Sequence, residues 1–134
     1  MSKIFSLSEA GSIAIHGIVL IAQANDQKLN VNMISERTGS SKHHVAKVLQ
    51  RLVKDDFLLS NRGPHGGFKL KRPPGEINLL DVYESIEGKI EITKCPMENP
   101  ICPFEKCLMS NIIKEMTVGF KDYMRKQILS DYIT

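Results

Sequence analysis

The sequence predicts a mainly helical chain with one small β-hairpin set among the helices. Three stretches carry that prediction. Residues 42–55 hold an aliphatic stripe at helical spacing, preceded by a short helical segment and Gly39. Residues 57–71 read as two short strands around the turn Arg62-Gly63-Pro64-His65-Gly66-Gly67. From residue 108 to about 128, apolar side chains stay on one helical face. Two helices about a tight turn, followed at once by a hairpin, make a winged helix-turn-helix. The last long helix is additional to it.

The first helix is expected over residues 7–24. Leu7, Ala10, Ala14, Ile18 and Ile21 recur at helical spacing, and Ile13, Ile15, Val19 and Leu20 make it apolar nearly all round, the pattern of a buried helix. Ser6 with Glu9 three residues on has the form of a capping box, and Asn25-Asp26 ends the segment. A short helix over 32–38 stops at Gly39. Ser40 and Ser41 then offer N-caps to the third helix, 42–55. Its Val45, Val48, Leu49, Leu52 and Val53 face inward, while Lys42, His43, Lys47, Gln50, Arg51 and Lys54 face out.

Phe57-Leu58-Leu59 reads as a strand, and Phe68-Lys69-Leu70-Lys71 alternates apolar and basic residues as the returning one. Arg72-Pro73-Pro74-Gly75 closes this unit, so residues 1–75 form the expected DNA-binding domain. Asn78 caps a helix over 79–87 that stops at Gly88. Residues 76–134 are expected to supply a loop and a dimerisation helix, in one compact unit with the first helix of a partner. Leu108, Ile112, Ile113, Met116, Phe120, Tyr123, Met124 and Leu129 form that helix's stripe. Twenty or more residues at ~1.5 Å each exceed what a domain of this size covers, so a second copy is the expected neighbour. Packing along the chain's own first helix is compatible with it.

The 134 residues suffice for a single domain with a core. With 42% hydrophobic residues, no tryptophan and 6% aromatics, aliphatic side chains must fill that core. Charge is unevenly spread. Residues 40–72 hold eight Lys or Arg against Asp55 and Asp56, whereas residues 73–134 hold seven against ten acids. A basic middle third points to a polyanion. On the third helix, Lys47 can donate to guanine O6 or N7 and Gln50 can pair with adenine. His43, His44 and Arg51 share its exposed side. Ser40, Ser41 and Lys42 at the helix start suit phosphate oxygens. Arg62 at the base of the wing can reach a phosphate or a narrow minor groove, with Gly63, His65 and Gly66 beside it at the tip. No constellation of acid and base groups marks an enzyme. The longest aliphatic stretch, residues 18–22, is too short to span a bilayer. With no basic-then-apolar leader, the expected location is the cytoplasm.

All three cysteines, Cys95, Cys102 and Cys107, lie within thirteen residues. An odd number argues against a disulfide framework. Thiolates suit iron–sulfur clusters, zinc or copper(I), and Cys-Pro steps such as Cys95-Pro96 and Cys102-Pro103 occur around ferredoxin-like clusters. Three thiols are one short of the usual four protein ligands. Metal-free redox thiols and an electron carrier are the other readings of the same set. His16, on the first helix, reads as a core or interface histidine.

The stretch Arg62-Gly63-Pro64-His65-Gly66-Gly67-Phe68-Lys69-Leu70 resembles the wing motif of the Rrf-two family of bacterial winged-helix regulators. Ile34-Ser35-Glu36-Arg37-Thr38-Gly39 resembles the first half of that family's helix-turn-helix, and Leu79-Leu80-Asp81-Val82 the start of its next helix. A three-cysteine loop ahead of a long helix is similar to the cluster-binding members. The resemblance covers nearly the whole chain. It implies a homodimer on a palindromic operator, with the third helix in the major groove and the wing in the minor groove. It also implies an iron–sulfur cluster, 4Fe–4S or 2Fe–2S, on Cys95, Cys102 and Cys107. Branches of the family differ in the fourth ligand. Where one branch of the family has a histidine three residues after the last cysteine, this chain has Ser110. Where another uses an acidic side chain from the partner's first helix, this chain has Glu9. A further family position, an acidic residue on the third helix that takes part in operator choice, is matched by Ala46. The six- and four-residue gaps between cysteines are less even than the family's.

Overall fold

A computed structural model describes residues 2–93, 95 and 101–133. Five α-helices and one hairpin follow in the order α1 (Glu9–Gln23), α2 (Val31–Thr38), α3 (Lys42–Lys54), β1 (Leu58–Asn61), β2 (Gly67–Leu70), α4 (Leu79–Glu87) and α5 (Ile112–Lys126). Single 3-10 turns lie at Pro74–Glu76 and Leu129–Tyr132.

Local chemistry sets most of the boundaries. The Ser41 side chain accepts from His44 N and opens α3, and Asn78 accepts from Asp81 N and opens α4. Asn30 caps α2 in the same way by accepting from Met33 N. Gly39 ends α2 at φ 76°, in the left-handed region that a residue without Cβ enters at little cost. The cap of α1 differs from the expected Ser6–Glu9 box. Ser8 is the N-cap, accepting from Gly11 N at 3.0 Å, so Glu9 opens the helix itself. The Ser8 hydroxyl also donates to Glu87 Oε1, tying this end to α4.

One apolar cluster joins every helix. Ile18 and Ile21 of α1, Ile34 of α2, Val45, Leu49 and Leu52 of α3, Leu80 and Val82 of α4, and Met124 of α5 are all buried in it. Full burial of each aliphatic side chain stabilises by roughly 1.5–3 kcal/mol, and of the α3 stripe read from sequence Val45, Val48, Leu49 and Leu52 are buried in this cluster while Val53 is half-buried. The C-terminus returns to this core. Leu79 N donates to Gln127 O and Leu129 N to Ile77 O, each at 2.9 Å, and Leu129 is fully buried.

The hairpin pairs antiparallel in the register Leu58↔Leu70 to Asn61↔Gly67. A third segment joins it. Leu29 N donates to Phe68 O at 3.2 Å, and Phe68 N donates to Leu29 O at 2.7 Å. The wing is therefore anchored to the residues that lead into α2.

The last helix is shorter than its apolar stripe. It begins at Ile112, because Ser110 takes φ 51° and interrupts the run that starts at Leu108. Its 15 residues span about 22 Å. Phe120 packs on Phe5 and Tyr83, with ring centroids 5.0 and 6.0 Å away. Ile112, Met116 and Tyr123 stay exposed, as do Ile101, Phe104 and Leu108 before them. In the single chain, this face has no apolar cover among the described residues.

Candidate nucleic-acid interface and cysteine loop

The basic middle third divides into structural and free cations. Lys71 Nζ pairs with Asp56 Oδ1 at 2.7 Å. The Arg72 guanidinium stacks 4.2 Å from the Phe57 ring centre and donates to Asp56 O. Arg51 pairs with Asp55 at 3.2 Å, one turn on in α3. Lys71 and Arg72 thereby tie the end of the hairpin to the turn after α3, whereas the Arg51–Asp55 pair closes the end of α3 itself. Lys42, Lys47 and Arg62 are exposed and make no ion pair among the described residues. With Lys54 and Lys69, also exposed and without an ion pair among the described residues, five of the eight cations of residues 40–72 are available to a polyanion.

Along α3, Lys42, His43, Lys47, Gln50 and Arg51 are exposed, His44 is half-buried, and Ala46 is half-buried between them and the core side. Ser41 is engaged as the N-cap. The Ser40 carbonyl accepts from Ser35 Oγ at 2.6 Å, fixing the turn between the two helices. Arg62, Gly63 and His65 are exposed on the wing, and Gly66 N closes its turn on Gly63 O at 2.9 Å. A Cβ on Gly66 would lie 2.3 Å from Asn61 O, so this turn requires glycine. The far end of α3 is tethered as well. Asp55 accepts from the Ser85 hydroxyl of α4, and that bond, with Arg51, lowers its carboxyl pKa against the opposing effect of desolvation.

Sequence reasoning missed Lys28 and Asn61. No motif marks either. With the Asn61 amide oxygen turned toward it, Lys28 Nζ donates to Asn61 at 2.5 Å, immediately beside Arg62. The contact exists only because Leu29 pairs with β2.

Cys95, Cys102 and Cys107 are free and exposed. Cys95 and Cys107 line one shallow cleft of about 310 Å³ with Lys106, Ser110 and Asn111, while Cys102 Sγ points to Phe104 O at 3.8 Å. Pro96 and Met97 lie outside the described residues; Pro103 is exposed in irregular chain. The stem of this loop is fixed between two helices. Ile90 N donates to Glu84 Oε2 at 2.8 Å, and Lys121 Nζ donates to Ile90 O at 3.1 Å.

The Glu9 carboxylate is engaged elsewhere in the chain. It lies 3.2 Å from His44 Nδ1, so it joins α1 to the start of α3. No group of three His, Cys, Asp or Glu side chains among the described residues is gathered to hold a metal ion. The donors fit a thiolate-held group in kind, since three soft, unpaired thiols share one loop. They are not assembled within one chain. His16 is exposed rather than buried in a core, with Nδ1 2.7 Å from Ser12 O. It borders a groove of about 500 Å³ along α1, together with Glu9, Arg37 and Tyr132.

A helix-turn-helix with free cations on its second helix, and a basic wing beside it, defines a winged-helix transcriptional regulator. The profile of the Rrf2 family, described as an iron-dependent transcriptional regulator, matches residues 7–134. The chain belongs to that family, whose members are regulators rather than enzymes. It is 26% identical over 131 residues to the HTH-type transcriptional regulator NsrR of Oceanobacillus iheyensis, covering 96% of this chain and 89% of that one. Its fold matches that of CymR, the global cysteine regulator of B. subtilis. The TM-score is 0.76 at 19% identity, over 96% of this chain and 95% of that one. The fold of T. potens IscR matches with a TM-score of 0.72 at 19% identity, over 96% and 85%. No helix among the described residues is long and apolar enough to cross a membrane.

Proposed function

We propose that this chain is a homodimeric, cytoplasmic repressor that binds a palindromic operator, with DNA affinity controlled by an iron–sulfur cluster. Residues 1–75 bind DNA; residues 76–134 provide the cluster loop and the dimerisation helix. The observation that carries the reading is the set of three free thiols on one exposed loop, set between α4 and α5 of a winged-helix regulator. Cys95, Cys102 and Cys107 would hold the cluster, with Glu9 of the partner subunit as the fourth ligand. When bound, such a cluster supplies a centre that reacts with oxygen or nitric oxide. The chain's own residues do the rest. Glu84 and Lys121 hold the loop stem, and Glu9 sets the start of α1 against His44 of the recognition helix. The dimer helices fix the separation of the two recognition helices. Half-sites must lie about one helical turn apart for both to engage, and a coupling of ~1–3 kcal/mol between the two sites changes affinity about 5–150-fold.

Anaerobically purified protein is then brown and contains iron and sulfide. Its spectrum bleaches with air or nitric oxide, and its DNA affinity changes in parallel. Colourless anaerobic protein with stoichiometric zinc defeats the cluster reading while leaving the regulator intact.

The exposure of all three thiols favours a second reading, a metal-free or zinc-containing thiol switch on the same loop. Reversible oxidation that changes DNA affinity in iron-free protein distinguishes it.

A further inference from the structure

Gly67 faces Asn61 across the hairpin and carries no side chain. A Cβ built there would lie 2.8 Å from Leu29 O and 3.1 Å from Lys28 Cβ. The segment 28–29 thus runs directly over the bare backbone of β2. Lys28 crosses at that point and reaches the far strand, where Asn61, with its amide oxygen turned toward Nζ, accepts from it at 2.5 Å. Its stem is half-buried against the sheet. Asn61 is a neutral amide, so the charge is held in place without being cancelled. No carboxylate pairs with Lys28 among the described residues. Arg62, the next residue after Asn61, is likewise unpaired. Two uncancelled cations from different elements therefore meet the foot of the wing, Lys28 through Asn61 and Arg62 as the next residue of the chain.

We propose that Lys28 is a second contact to the DNA phosphate backbone at the foot of the wing, positioned by Asn61 over the trough that Gly67 leaves open. It rests on the DNA-binding reading above. The ligand is a backbone phosphate rather than a base edge. A single ammonium on a fixed stem supplies charge without the paired donors that base recognition uses. Lys28 adds affinity uniformly across sequences. Arg62, longer and planar, is the member of the pair able to enter the groove.

The test uses the full chain and a mixed-sequence duplex of about 40 base pairs, titrated at several salt concentrations. Lys28→Met keeps the stem and removes the charge. It lowers the slope of log affinity against log salt by about 0.9 for each subunit in contact, with the thermal midpoint unchanged. Lys28→Arg restores the slope. Asn61→Asp, which neutralises Lys28 in place, reproduces the loss. A wild-type slope in Lys28→Met, beside a reduced slope in Arg62→Ala, overturns the proposal and leaves Lys28 as a staple of the wing. Wild-type protein whose binding is flat in salt overturns the DNA-binding reading itself.

Discussion

Glu9 Oε1 lies 3.2 Å from His44 Nδ1, joining the first residue of α1 to the first turn of the recognition helix. The acid proposed as a cluster ligand in the partner's site thus touches the proposed DNA-reading helix of its own chain. The two roles draw on one carboxylate. Glu9→Ala is expected to shorten cluster lifetime in air and to lower iron content. It should change the unfolding free energy of iron-free protein by less than about 1 kcal/mol, since this pair is largely exposed. Iron analysis and denaturant titration of the same preparation separate the two effects. Unchanged cluster stability returns Glu9 to a purely local role with His44.

The iron-free chain should present three reactive thiols without denaturant, because Cys95, Cys102 and Cys107 are all exposed and free. Titration with an aromatic disulfide reagent reads three equivalents. Cluster reconstitution should protect all three together, and Cys102→Ala should prevent it. Protection of only two would place one of the three cysteines outside the site.

Much of this architecture was legible because its signals are local. The aliphatic positions of α3, the left-handed Gly39 and the Asn78 cap each act within one turn of chain. What was not legible depends on distant pairing. Ser6 and Ser8 are equivalent as cap residues in sequence; the bond from Ser8 to Glu87 on α4 accompanies the choice of the second. The apolar stripe continues upstream of Ile112, but the left-handed Ser110 stops the helix there. Lys28 and Asn61 meet only across β2, and Glu9 meets His44 only after α1 packs on α3. The third-helix and wing residues were readable as a basic surface, yet which cations stay free depends on Asp55 and Asp56.

The acid limb of stability should depend on Asp55. Its folded carboxyl pKa is lowered below the ordinary 3.8, first by the Ser85 hydroxyl and then by Arg51. A depressed folded pKa contributes stability that is present above 3.8 and is lost as pH falls through the lower folded value. Ser85→Ala should therefore cost about 1 kcal/mol at neutral pH and flatten the loss below pH 4. Urea titrations across that range check it. A parallel pH profile in the variant would show that Ser85 does not hold the carboxylate.

Gly66→Ala should damage the wing while sparing the helical core. Its Cβ would sit 2.3 Å from Asn61 O, which is backbone and has no rotamer to yield. Gly39→Ala meets no atom within 4 Å and only strains a positive φ, by roughly 1 kcal/mol. Duplex affinity should therefore fall much further in Gly66→Ala, although both proteins remain folded by circular dichroism. Equal affinities would remove the wing from the interface.

The exposed face of α5 supports the proposed dimer. Ile112 and Met116 sit one turn apart and are 45% and 39% exposed, and Leu108, just before the helix, is 77% exposed. Ile112 and Met116 leave an exposed apolar patch on one side of α5, with Leu108 exposed just upstream, and clustered exposed apolar side chains mark interaction surfaces. A glutamate in that patch would be buried without a partner if two copies meet there, at a cost of several kcal/mol per ion. Ile112→Glu and Met116→Glu should thus convert the protein to a monomer in sedimentation experiments, with α-helical content retained. Loss of the dimer should also abolish cluster retention if Glu9 of the partner subunit completes the site. A monomer that keeps its cluster would assign all ligands to one chain, whereas an unaltered dimer would move the interface off α5.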